Sequence, residues 1–221
     1  MIITIDGPAG AGKSTVARRI AKELSLPYLN SGALYRAITW RVLAEGGRFE
    51  DRELVRRIID DLDIRFVENE RGSRVILSGV DVTRELQEPR VASQVHRIAS
   101  VPEYREMLID VQRAFAREEG CVTDGRDMGS VIFPHADIKV YLDASPEERA
   151  RRRFLELDAG GGAGTYDGVL ADIRARDERD RCREVAPLCV PPGAVVIESD
   201  GLSIDEVVAR ILALVSKSEK A

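Results

Sequence analysis

The chain has 221 residues, 33 of them Lys or Arg against 38 Asp or Glu, which leaves a formal net charge of −5. That length suits one domain with inserts or two small ones, and 44% apolar with 32% charged residues is the balance of an ordinary globular protein. The acidity weighs against a general nucleic-acid binder, and the apolar runs are far shorter than the roughly 20 residues that span a bilayer. The opening Met1-Ile2-Ile3-Thr4-Ile5-Asp6 lacks a basic segment and a cleavage site, so no secretory signal is expected. Cys121, Cys182 and Cys189 are odd in number and carry no metal-ligand spacing, which fits a reducing, cytoplasmic setting.

Ile2-Ile3-Thr4-Ile5 reads as a buried strand ended by Asp6-Gly7-Pro8. From Gly12 onward Val16, Ala17, Ile20, Ala21 and Leu24 recur at helical spacing. Pro27-Tyr28-Leu29 is a short strand, and Leu34, Ala37, Ile38 and Val42 mark the helix after it. Ile64 to Thr83 breaks the rhythm. Ile64-Arg65-Phe66-Val67, a turn at 68–72, Val75-Ile76-Leu77 and a turn at Ser78-Gly79 predict a small antiparallel insert. Strands follow at Cys121-Val122-Thr123, Ile138 to Leu142 and Ala194 to Ile197, and Ile204 to Val215 is the last helix. Strand–helix alternation of this kind predicts an α/β fold: a five-stranded parallel sheet covered by helices, with the β insert and a helical lid added.

The lid is read from charge. The run from Asp172 to Glu184 is helical in spacing and places Arg176, Asp180 and Arg183 on one face, while Arg149, Arg152 and Arg153 lie in the preceding helix. Five acids balance five arginines in that run, as they would in a plain solvated helix. The two helices flank the glycine-rich stretch 158–164, however, and two arginine-bearing helices joined flexibly can close over phosphates and exclude water.

Gly7-Pro8-Ala9-Gly10-Ala11-Gly12-Lys13-Ser14 fits G-x-x-x-x-G-K-[ST] at every fixed position, between a strand and a helix. Its backbone N–H groups, with Thr15 in the first helical turn, would cradle ATP phosphates; Lys13 would reach the β and γ phosphates and the Ser14 hydroxyl would ligate Mg²⁺. Asp124 ends the strand Cys121-Val122-Thr123 and could hold a Mg²⁺-bound water beside Ser14. A GTPase would need Asn-Lys-x-Asp to read guanine, and none occurs. A motor ATPase would normally be larger and show four apolar residues before its Walker-B acid. A small kinase remains, and it needs a second anion site. Arg36, and Arg126 between Gly125 and Asp127 past a buried strand, are candidates at the sheet edge where open α/β folds bind ligands.

At these residues the sequence resembles the bacterial cytidylate kinase family. The likeness runs through Gly7 to Ser14, Asn30-Ser31-Gly32-Ala33-Leu34-Tyr35-Arg36, Gln112-Arg113, Asp124-Gly125-Arg126-Asp127-Met128-Gly129, Asp143 to Ala150, and Arg176-Asp177-Glu178-Arg179-Asp180-Arg181 through Leu188. The insert at Ile64 to Thr83 is similar to that family's enlarged acceptor region, which general adenylate kinases lack. The resemblance implies ATP with CMP or dCMP giving ADP with CDP or dCDP, with Mg²⁺. It implies Ser31, Arg36 and Arg126 on the acceptor's phosphate, Arg105 and Asp127 reading cytosine, and Asp180 and Arg183 on the ribose and base side. Lys13, Arg126, Arg152 and Arg153 would face the transferring phosphoryl group.

It further implies a core of residues 1–30, 116–148 and 185–221, an acceptor region at 31–115 and a lid at 149–184. Asn30 stands where the family commonly has aspartate, and Cys182 where a small polar residue is usual. His96 falls where a serine often contacts cytosine, so Ser93 and Ser100 are open alternatives. A monomer acting on small molecules, without nucleic acid or membrane, is the expectation. The rival readings are another small P-loop kinase (for UMP, AMP or shikimate) and a nucleotide-binding regulator.

Overall fold

The computed structural model describes residues 1–69, 72–159 and 164–218. They form two compact units, one of residues 1–28 with 118–221 and the other of residues 29–117.

The first unit is built on a parallel sheet. Among the described residues its strands are β1 (Ile2–Asp6), β2 (Tyr28–Asn30), β6 (Cys121–Gly125), β7 (Ile138–Asp143) and β8 (Val195–Glu198), in the order β2-β6-β1-β7-β8. The remaining strands, β3 (Ile64–Asn69), β4 (Gly72–Leu77) and β5 (Val80–Asp81), belong to the second unit. β1 is central and buried on both faces, as a strand covered by helices must be, with Ile3 and Ile5 on one face and Thr4 and Asp6 on the other. It runs beside β6 from Ile2↔Cys121 to Asp6↔Gly125 and beside β7 from Ile3↔Ile138 to Asp6↔Tyr141. This register sets Asp6, Gly125 and Tyr141 level at the carboxyl edge.

The helix α1 (Lys13–Leu24) buries Val16, Ala17, Ile20 and Ala21 against the sheet together with Val207, Val208 and Ile211 of α9 (Ile204–Ser218). Each of the valine and isoleucine side chains contributes about 1.5–3 kcal/mol when fully buried, so this face fixes where α1 begins. Two further helices, α7 (Pro146–Ala159) and α8 (Tyr166–Cys182), pack on each other through Ala150, Val169 and Ile173.

In the second unit, α2 (Ser31–Ala44), α3 (Arg52–Asp60) and α6 (Pro102–Phe115) close around Leu34, Ile38, Val55, Ile58, Tyr104 and Leu108. The short helices α4 (Pro89–Ala92) and α5 (His96–Ala99) precede α6. The antiparallel sheet β3-β4-β5 puts Val75 and Leu77 against Ala33 and Ala37 of α2.

Several expectations shift. β2 begins and ends one residue later than Pro27–Leu29, and β8 likewise starts at Val195 rather than Ala194. The turn expected at 68–72 narrows, because Glu68, Asn69 and Gly72 belong to the paired strands; Glu70 and Arg71 lie outside the described residues. The central part of the glycine-rich stretch, 160–163, also lies outside them. α8 stops at Cys182, and Arg183 is extended at φ −68° and ψ 140°. Arg183 therefore does not continue the helical face of Arg176 and Asp180.

Candidate active site

The loop Gly7 to Gly12 leaves the carboxyl end of β1 and enters α1. A Cβ on Gly7 would lie 2.1 Å from the carbonyl oxygen of Leu142, so no other residue fits there. Gly12 precedes the helix at φ +88°, a left-handed conformation that L side chains rarely adopt. No side chain caps α1 among the described residues. The unpaired N–H groups of its first turn are thus available to an anion, helped by the helix dipole. Ser14 lies in that turn, and Thr15 is exposed beside it.

Lys13 folds back over the loop. Its ammonium is buried and donates to the Pro8 carbonyl at 2.7 Å. Burial drives its pKa well below the ordinary lysine value, and the nearby Arg126 and Arg176 cations push it the same way against Asp124 and Asp6. Arg126, from the segment after β6, and Arg176, from α8, are therefore close enough for their charges to act on Lys13. Such an arrangement is costly alone and is compensated by a polyanion.

Ser14 Oγ donates to Asp124 Oδ2 at 2.7 Å, and the Tyr28 hydroxyl donates to Asp124 Oδ1 at 2.6 Å. Burial and the Asp124 charge raise the Tyr28 phenol above its ordinary value, so it stays a donor. A hydroxyl and a carboxylate in contact are hard oxygen donors, and the pair fits Mg²⁺ of the kind that keeps several waters.

Asp6 is fully buried at the end of β1. Its two carboxylate oxygens accept the backbone N–H groups of Met128 at 2.8 Å and Gly129 at 2.7 Å. These two amides open a single π-helical turn, Met128–Ile132, directly after Arg126 and Asp127. Burial raises the Asp6 carboxyl to about 6, although both N–H bonds oppose the shift.

Arg126 Nε donates to Asp180 Oδ2 of α8 at 2.8 Å, and both side chains are largely buried. Burial would raise the Asp180 carboxyl, but Arg126, with Arg176 and Arg183, holds it below the ordinary carboxylate value. Asp127 is buried, with Arg183 Nη2 at 3.8 Å from its Oδ1.

The other assigned residues lie in the unit of residues 29–117. Asn30 caps α2, its Oδ1 accepting the Ala33 N–H at 2.8 Å, so the residue standing for the usual aspartate still performs the cap. Ser31 is buried in the first turn. A Cβ placed on Gly32 would lie 3.7 Å from Arg36 Nη2, so the Arg36 guanidinium folds back to that same helix N-terminus. Arg105 is buried, donates to the Ala99 carbonyl at 3.2 Å and stands over the Tyr35 ring at 5.8 Å. His96, Ser93 and Ser100 are all exposed, and Ser93 Oγ donates to the Arg90 carbonyl.

Arg152 and Arg153 are not brought to the phosphate loop by the bonds they make. Arg152 donates to Glu148 and to both the hydroxyl and the carbonyl of Ser199, while Arg153 is exposed and pairs with Glu156. The arginine that reaches the loop from α7 is Arg149, which donates to the Ala9 carbonyl at 3.0 Å. The sequence offers Arg149 and Arg176 only as arginines of two helices that close over phosphates, and it gives Tyr28 and Asp6 no functional role. Of these last two, Asp6 leaves a signal, as an acid directly continuing a buried apolar strand.

The family model for cytidylate kinase matches residues 3–217. A cytidylate kinase from Carboxydothermus hydrogenoformans is 42% identical over 217 residues, 98% of this chain and 98% of that protein. One from Caldanaerobacter subterraneus is 44% identical over 218 residues, covering 99% and 96%. A solved structure of an uncharacterized protein from Eubacterium ventriosum superposes over 98% of both chains with a TM-score of 0.54 at 13% identity, a likeness of fold alone. With nearly the whole chain matched, the protein belongs to the cytidylate kinase family.

Proposed function

We propose that this chain transfers the γ-phosphoryl group of ATP to CMP and to dCMP, releasing ADP with CDP or dCDP. Phosphorylation of CMP follows from family membership across the chain. The observation that carries the mechanism is the buried Lys13 ammonium folded onto the Gly7–Ser14 loop at the Pro8 carbonyl, with the Ser14–Asp124 pair in the first turn that follows. An oxygen of the acceptor's phosphate attacks the γ phosphorus in line, and the bond to the departing ADP oxygen breaks. Such transfer depends on positioning and charge stabilisation more than on a protein base.

The chain's own residues divide that work. The loop N–H groups from Gly7 to Gly12, with Thr15, hold the donor's phosphates, and Lys13 exchanges the Pro8 carbonyl for a phosphate oxygen. Ser14 and Asp124 would hold Mg²⁺, whose charge would draw electrons from the triphosphate oxygens. In the unit of residues 29–117, Ser31 and Arg36 take the acceptor's phosphate and Arg105 its base. In the other unit Arg126 takes the phosphate, while Asp127, Asp180 and Arg183 take the nucleoside. Arg152 and Arg153 belong to the lid of residues 149–184, and they face the transferring group once Arg152 has given up Ser199. The core comprises residues 1–30, 116–148 and 185–221, and the acceptor region residues 31–115.

The protein acts as a monomer in the cytoplasm without nucleic acid or membrane. Supporting this are the three free cysteines, the net charge of −5 and the lack, among the described residues, of a helix long and apolar enough to cross a membrane. The test is product identification by phosphorus NMR after incubation with ATP, Mg²⁺ and CMP. Matched appearance of ADP and CDP supports the reading. ADP with free phosphate and no CDP would reduce the protein to a hydrolase.

A further inference from the structure

We infer that Arg149 is a positioning residue for the donor-phosphate cradle, acting through the Ala9 carbonyl and itself held in place by Asp177. This rests on reading Gly7–Ser14 as the donor's cradle.

Arg149 is 1% exposed although it is a cation. Nη1 and Nη2 meet Asp177 of α8 in a two-pronged pair, at 3.1 Å to Oδ1 and 2.6 Å to Oδ2. Nε donates to the Ala144 carbonyl at 2.9 Å, at the approach to α7. Nη1 also donates to the Ala9 carbonyl at 3.0 Å. Removing a guanidinium and a carboxylate from water is expensive, and a buried pair is often no more stabilising than a well-packed apolar one. Stability alone therefore does not account for this cation.

The Ala9 bond does. A trans peptide is planar, with its N–H pointing opposite to its C=O. Drawing the Ala9 oxygen into the protein turns the Gly10 N–H outward, on an exposed stretch of the loop where the phosphates are held. The Pro8 carbonyl, next along the loop, is held by Lys13 instead. Lys13 must leave that oxygen to engage a phosphate, whereas Arg149 is locked by Asp177 and Ala144 and stays. One peptide of the cradle is thus preorganised permanently, and its neighbour only until the donor arrives. The Arg149 Cβ lies 3.3 Å from where a Cβ on Gly10 would stand, so the side chain also braces the loop from beneath.

The test is titration calorimetry of the whole protein with MgATP, and separately with CMP, alongside thermal unfolding. Wild type is compared with Arg149→Lys and with the double variant Arg149→Met/Asp177→Leu. Arg149→Lys should raise the Kd for MgATP by about tenfold, the scale of one charge-assisted hydrogen bond, and leave CMP affinity unchanged. The double variant, with its apolar replacement, should unfold within a few degrees of wild type and still bind MgATP at least tenfold more weakly. Wild-type MgATP affinity in Arg149→Lys, or in a folded double variant, would overturn the inference while leaving the cradle intact. Failure of the wild-type protein itself to bind MgATP would overturn the cradle reading and the inference with it.

Discussion

The Arg126 guanidinium and the Asp180 carboxylate meet at 2.8 Å, joining the segment after β6 to helix α8. The cation proposed for the acceptor's phosphate is thus engaged by an acid of α8, in a partly desolvated site where charge-assisted bonds are strong. Under the proposed assignment an incoming phosphate would compete with Asp180 for Arg126, which would link acceptor binding to the placement of α8.

Arg126→Ala should lower kcat/KM for CMP by at least a hundredfold while leaving the Kd for MgATP within about twofold, on the scale of a lost charged contact made in the transition state. Steady-state kinetics with calorimetry separates the two. A near-normal kcat/KM would remove Arg126 from the acceptor site.

Asp124→Asn should raise the Mg²⁺ concentration needed for half-maximal rate by at least tenfold, because an amide is a poorer hard-cation ligand than a carboxylate. Tyr28→Phe, which removes one donor from Asp124, should have a smaller effect, of a few-fold. A magnesium titration of initial rates checks both, and unchanged midpoints would detach Ser14 and Asp124 from the metal.

Lys13→Ala should abolish transfer. The wild-type lysine carries a further expectation from its depressed pKa. A triphosphate beside the ammonium favours the charged form, so the pKa rises on binding and the protein takes up protons between the two values. Binding enthalpy for MgATP should therefore vary with the ionisation enthalpy of the buffer in the sense of proton uptake. Buffer-independent enthalpy at every pH from neutral up to the ordinary lysine range would contradict the burial and cation crowding around Lys13.

Much of this was legible from residues alone, and the reason is local. The strand β1, the phosphate loop and α1 are contiguous, so periodicity and glycine placement define them without help from tertiary structure. The insert of β3 to β5 was legible from alternation, but its turn was drawn too wide because Asn69 and Gly72 look like turn residues and are strand-paired instead. The expected face of Arg176, Asp180 and Arg183 failed at its last member because α8 ends at Cys182 and Arg183 turns to the Ala186 carbonyl. Arg149 was hidden for a different reason. Its partners Ala9 and Asp177 are 140 and 28 residues away, and no spacing rule connects them.

Asp6 gives a pH expectation. Its carboxyl titrates at about 6 in the folded protein against 3.8 as an ordinary aspartate, so the folded state holds the proton more tightly. This group's contribution to stability is greatest below the ordinary value and falls as pH rises from about 4 to 6, leaving a cost of about 3 kcal/mol at pH 7. That cost sustains the two N–H bonds ordering the turn after Arg126. Carbon NMR of the Asp6 carboxyl should show a midpoint near 6, and the amides of Met128 and Gly129 should shift with it. A midpoint at or below 4 would contradict the account.

The central claim is acceptor identity, and the most direct measurement is kcat/KM for ADP release with ATP and Mg²⁺ over CMP, dCMP, UMP, AMP and shikimate. Fast turnover on CMP and dCMP, with AMP and shikimate near background, is the predicted result. Turnover on AMP or shikimate in preference to CMP, or on no acceptor while MgATP still binds, would contradict it.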